Sequence, residues 1–132
     1  MKEISLVYIS RVNGKIDVED VKQILTAAEK FNSSVGITGA LFFNKRFFLQ
    51  YLEGSRGQVN QLYSKILKDN RHKDCEIVRL EEIDKRLFPQ WSMHFFKEES
   101  EEVLTNHDPF GLTGEEIHKL FHDRMTKNRM VS

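Results

Sequence analysis

A chain of 132 residues has room for one domain with a single two-layer core. Twenty basic and twenty acidic side chains cancel to zero formal net charge, which removes the electrostatic case for nucleic acid or a membrane surface as partner. Hydrophobic content of 39% with ten Phe argues against disorder, while a single cysteine, Cys75, excludes an internal disulfide and disfavours a Cys-based zinc site. No apolar run reaches membrane-spanning length and the N-terminus lacks a signal-peptide core, so a cytoplasmic protein is expected.

Residues 4–9 read as a strand, with Ile4, Leu6 and Tyr8 on one face and Val7 and Ile9 on the other. Apolar residues on both faces suit a central strand covered on both sides. Asp17 can cap a helix running to about Phe31, with Val18, Val21, Leu25 and Ala28 at three- and four-residue steps and Ile24 beside them. Residues 36–43 and 46–53 form two strands around a short turn at Asn44 and Lys45. Ser55 and Gln58 have the spacing of a capping box, opening a second helix whose stripe is Val59, Leu62, Tyr63, Ile66 and Leu67. Strands over 75–83 and 91–96 complete the sheet. After an irregular acidic stretch (Glu98, Glu99, Glu101, Glu102), Thr113 and Glu116 cap a last helix with the stripe Ile117, Leu120, Phe121 and Met125.

The order βαββαββ, with right-handed crossovers, places the third strand between the first and second and both helices on one face. The expected fold is therefore α+β, a ferredoxin-like sandwich with a five-stranded mixed sheet and a C-terminal helical extension. Residues 1–97 would form the domain. Residues 98–132 would form an extension that packs on the sheet or mediates association.

Catalytic signatures are missing. No Gly-rich phosphate loop, His-Glu-x-x-His or nucleophile elbow occurs, and Gly36-Ile-Thr-Gly39 enters a strand, not a helix. His118 and His122 stand one helical turn apart, but no further ligand completes a metal site, so none is expected. Arg71-His72 offers an anion contact, or simply favourable charge at a helix end. Gln50 is the odd residue. It alternates with Phe48 and Leu52, which buries its amide, and an unpartnered buried amide costs on the order of 1–3 kcal/mol. Tyr8 shares its face with Ile4 and Leu6 and also needs a partner, and topology makes the two strands adjacent. The pair can satisfy itself or meet a ligand.

Five stretches in register resemble the BLUF family, blue-light sensors using FAD. They are Leu6-Val-Tyr-Ile-Ser10; Asn32 with Gly36-Ile-Thr-Gly-Ala-Leu-Phe42; Phe48-Leu-Gln-Tyr-Leu-Glu-Gly54; Ile66-Leu-Lys-Asp-Asn-Arg-His72; and Phe88-Pro-Gln-Trp-Ser-Met93. The resemblance covers about residues 3–96 and implies FAD, with its ring held between the two helices. It implies Tyr8 as electron donor, Gln50 as the switchable amide and Asn32 as a donor to the flavin's polar edge. Asp69, Arg71 and His72 would engage the pyrimidine side, Lys65 would approach a ring carbonyl, and Ile24, Phe48 and Ile66 would form apolar walls. Ser10, Trp91 and Met93 would relay the signal. Phe31 departs from the pattern, since the residue before Asn32 is often polar in this family. The chain after Phe96 is far shorter than a catalytic domain, so the expected protein is no enzyme itself. It would signal non-covalently to a protein partner or through a homo-oligomer. An acylphosphatase-like enzyme using Arg11 and Asn13, or a cofactor-free interaction module, would share the fold; neither would be yellow.

Overall fold

The computed structural model describes residues 2–43, 46–96 and 109–131. The turn at Asn44 and Lys45 and the acidic 97–108 stretch lie outside them. Five strands, β1 (Glu3–Val12), β2 (Thr38–Phe43), β3 (Phe47–Ser55), β4 (His72–Ile83) and β5 (His94–Phe96), form one sheet in the order β4-β1-β3-β2-β5. β1 lies antiparallel to both β3 and β4, β2 antiparallel to β3, and β5 parallel to β2. This is the ferredoxin-like arrangement that the element order predicts.

Helix α1 (Val18–Val35) starts at a reciprocal cap. The Asp17 carboxylate accepts from the Asp20 amide (2.9 Å), and the Asp20 carboxylate accepts from the Asp17 amide (3.0 Å). The helix runs one turn past Phe31 because it can stop only at Gly36, whose φ of 71° lies in the left-handed region that glycine adopts without strain. Gly36 is thus a helix cap, and the strand begins at Thr38. Helix α2 (Arg56–Leu67) has Ser55 as N-cap, but the Ser55 side chain makes no capping bond, so the expected Ser55–Gln58 box does not form. Ser55 is still the last residue of β3, paired with Glu3, and the sheet dictates its orientation. Leu67, expected on the apolar stripe, is 53% exposed at the helix end.

Both helices pack on one face of the sheet. There Ile4, Leu6, Tyr8, Leu41, Phe48 and Leu52 meet Val59 of α2, with Ile24, Leu25, Ala28, Leu62 and Ile66 partly buried against them. The opposite face presents Val7, Ile9, Ala40, Phe42, Leu49 and Tyr51. Helix α3 (Gly114–Val131) covers it with Ile117, Leu120 and Phe121. Its start is held by the Thr113–Glu116 box, in which each side chain takes the other's backbone N–H (3.1 and 3.0 Å). Gly114 lets the helix approach β4 closely, since a Cβ there would run into the Val78 carbonyl oxygen. Met125 lies outside the described side chains.

One expected strand is much shorter than predicted. Residues 91–93 are not in β5. They follow a turn in which the Trp91 amide donates to the Phe88 carbonyl (3.3 Å), and the Trp91 carbonyl accepts from the Gly39 amide on the β2 edge (3.0 Å). Trp91 consequently packs on the α3 side while Met93 packs on the α1–α2 side. Alternation along a continuous 91–96 strand would put both on one face.

Candidate functional site

Between α1, α2 and the sheet lies a cavity of about 310 Å³. Ile24, Leu25, Ala28 and Phe31 of α1, Leu62 and Ile66 of α2, and Leu41 and Phe48 of the sheet give it apolar walls. Its polar groups are Tyr8 and Gln50 on the sheet, with Lys65, Asp69, Arg71 and His72 towards one side. An apolar slot with a few convergent polar groups is the usual form of a small-molecule site.

Tyr8 and Gln50 are directly opposite each other in the β1–β3 ladder. The Tyr8 hydroxyl donates to Gln50 Oε1 (2.5 Å), and Gln50 Nε2 donates to Met93 Sδ (3.5 Å). Thioether sulfur is a weak acceptor, so the amide is held firmly at its oxygen end and loosely at its nitrogen end. Burial drives the Tyr8 phenol well above its ordinary pKa, and Cys75 and Tyr63, once ionised at high pH, together with the Asp69 carboxylate, push it further in the same direction. The phenol therefore keeps its proton at neutral pH.

His72, the first residue of β4 and not a helix end, sits with its ring 4.3 Å from Phe48 and 6.1 Å from Tyr8. Burial lowers its pKa to about 4, against the pull of Asp69, so it is neutral at pH 7. Its Nδ1 is 2.8 Å from the Ser10 hydroxyl. Asp69 and Arg71 form a bidentate pair (2.9 and 2.5 Å), and the Arg71 side-chain hydrogen bond holds the Asp69 carboxyl below the usual range. The Lys65 ammonium lies 3.9 Å from the centre of the Phe31 ring, bridging α2 to α1 beside the cavity.

Asn32 is fully buried but is not among the residues lining the cavity. Its amide nitrogen donates to the Ser92 carbonyl (2.7 Å), and its buried Oδ1 has no hydrogen-bond partner among the described residues. An orphan acceptor of this kind asks for a donor. The structure thus gathers Tyr8, Ile24, Phe48, Gln50, Lys65, Ile66, Asp69, Arg71, His72 and Met93 around one cavity. Ser10 sits behind His72, and Trp91 lies across the sheet, stacked on His94 (4.0 Å) and Phe88 (5.9 Å). Sequence reasoning missed the wall residues Leu25, Leu41 and Leu62, and also Glu53, a buried carboxylate on the α3 side of β3. A charged residue continuing the apolar alternation Leu49, Tyr51 was the available signal.

The observed set suits a planar aromatic ligand with a hydrogen-bonding edge: apolar walls from two helices, an amide relay against the sheet, and an unsatisfied buried acceptor nearby. Fold and slot together define a small α+β domain built to bind a flat ligand. Over residues 4–94 the chain matches the family BLUF, "sensors of blue-light using FAD", and it belongs to that family. It is 40% identical over 85 residues to the photoactivated adenylate cyclase subunit alpha of Euglena gracilis, covering 64% of this chain and 8% of that protein. Among solved structures it resembles BlrB, a BLUF protein in its dark state (TM-score 0.85, 32% identity, 96% of this chain and 97% of that one). BlsA in its photo-activated state is similarly close (TM-score 0.80, 31% identity, 93% and 94%). Among the described residues, no helix is long and apolar enough to cross a membrane.

Proposed function

We propose that the α1–α2 cavity holds FAD and that the chain acts as a blue-light switch, catalysing nothing itself. The carrying observation is the Tyr8–Gln50–Met93 line, a buried phenol, amide and thioether in hydrogen-bonding sequence against the cavity. FAD bound there supplies blue-light absorption and an electron acceptor beside Tyr8. Asn32 Oδ1, Lys65, Asp69, Arg71 and His72 would hold its polar edge, and Ile24, Phe48 and Ile66 its faces. The residues then do the rest. Loss of an electron makes the Tyr8 hydroxyl proton acidic, and Gln50 Oε1 is the atom positioned to receive it. Gln50 has an acceptor end and a donor end, so turning or tautomerising its amide exchanges which end faces Tyr8 and which faces the cavity. That change breaks the Nε2–Met93 contact, and such contacts are worth only about 0.5–1.5 kcal/mol, so the output biases a poised element.

Residues 1–97 would form the flavin unit and 98–132 the reporting extension, with Ser10, Met93 and Trp91 as relay and a protein partner reading the result. The test is spectroscopic. Protein expressed with added riboflavin should be yellow, and blue light should redshift its absorption reversibly. Colourless protein refutes the reading.

A further inference from the structure

We propose that Glu53 is the fixed anchor about which the segment 87–93 transmits the switch to α3, a role that rests on the photoswitch reading above. Glu53 stands three residues along β3 from Gln50, on the opposite face, and is fully buried. Its Oε1 accepts from the Leu87 amide (2.8 Å), and its Oε2 accepts from the Phe88 amide (2.7 Å) and the Thr38 hydroxyl (2.9 Å). Burial pushes the Glu53 pKa up, while these donated bonds and the nearby Arg86 pull the other way and favour the ionised form. Arg86 closes the arrangement, donating to Thr38 (3.2 Å) and pairing with Glu3 (2.5 Å).

The segment that Glu53 grips touches the switch at its other end. Ser92 accepts from Asn32 through its carbonyl, and Met93 accepts from Gln50. Between the two ends the chain crosses from one sheet face to the other. There Phe88 and Trp91 join Tyr51 and Phe121 beneath α3. A segment moved at 92–93 and free at 87–88 would pivot on Trp91, whose carbonyl accepts from the Gly39 amide, and give way at its far end. Held at 87–88 by two backbone hydrogen bonds to one buried carboxyl group, it must pass the displacement into the Phe88–Trp91 packing. Glu53 is thus a positioning residue. It does not touch the cavity, and the redshift does not depend on it.

The experiment uses the full FAD-loaded chain and follows amide hydrogen exchange residue by residue in dark and blue light. In wild type the Leu87 and Phe88 amides should stay protected in both conditions, while amides of 92–96 and 114–121 change protection on illumination. In Glu53→Gln, which keeps size but loses one acceptor, the redshift should persist at full amplitude. The light-induced change over 114–121 should fall about fivefold, the factor that corresponds to losing one ordinary hydrogen bond of about 1 kcal/mol. A role in folding alone would lower the melting temperature yet leave the light response of folded molecules intact, which overturns the anchor role. So does light-induced loss of protection at Leu87 and Phe88 in wild type as large as at 92–96, an outcome that needs no variant to fold. A wild type that binds FAD without any redshift overturns the switch reading, and the anchor role falls with it.

Discussion

Tyr8→Phe removes one hydroxyl and leaves an apolar ring of the same shape, so the cavity should still take up flavin. Gln50 Oε1 then loses its donor, which costs on the order of 1–3 kcal/mol, and the reversible redshift should vanish because no transferable proton remains. Gln50→Leu should also abolish it by removing the relay. Absorption spectra before and after a blue flash check both, and a normal photocycle in either variant refutes the assignment. His72 carries a pH prediction. Its folded pKa of about 4 lies below the ordinary value of 6.5, so the unfolded chain binds more protons between those limits. Stability contributed by the neutral ring is complete above pH 6.5 and is lost as pH falls towards 4, by about 2 kcal/mol between pH 7 and pH 5. Denaturant unfolding at the two pH values should show that loss, and His72→Gln should flatten it. Tyr8 and Gln50 were legible as a pair of misplaced polar groups. What the sequence could not supply was Met93 as the amide's second partner, because that contact depends on a loop conformation and not on a periodic pattern.

At the scale of elements, two identical-looking capping signals had different fates. Thr113–Glu116 forms because a loop precedes α3 and leaves the threonine free to turn inward, whereas Ser55 is still paired in β3. Strands with one amphipathic period were legible to within a few residues. The 91–96 stretch was not, since Pro89 and the turn at Phe88–Trp91 interrupt a pattern that still alternates on paper. Docking of α3 answers a question that strand patterning raises, namely what covers Val7, Leu49 and Tyr51. Phe121 is fully buried, with its ring 4.9 Å from Phe42 and 5.4 Å from Tyr51. Phe121→Ala should weaken this docking by about 3–5 kcal/mol. The uncovered apolar face should then drive self-association, visible as a larger species in sedimentation at concentrations where wild type shows none. Unchanged sedimentation together with unchanged exchange protection over 114–121 would show that the contact holds little of the helix in place.

At the scale of the whole molecule, the fold was readable because element order and right-handed crossovers leave few topologies. The cavity was readable only through resemblance. Its walls are ordinary helix stripes, and nothing in Ile24, Leu25 or Ile66 says that α1 and α2 stand apart with space between them. That space has a thermodynamic consequence. Two helices that line a cavity of about 310 Å³ give up contacts with each other that a ligand would restore, and buried Asn32 Oδ1 has no partner among the described residues and can take a donor from that ligand. FAD binding to the folded chain alone should therefore stabilise it by RT ln(1 + [L]/Kd), about 2.7 kcal/mol at a hundredfold excess over Kd. For a domain of this length that corresponds to a rise of about 10 °C in melting temperature. The rise should grow logarithmically with added FAD, as linkage requires, and Asn32→Ala should reduce it if the orphan acceptor is part of the flavin contact. A melting temperature indifferent to saturating FAD would mean that the cavity is not the binding site, however well its walls suit a flat ring.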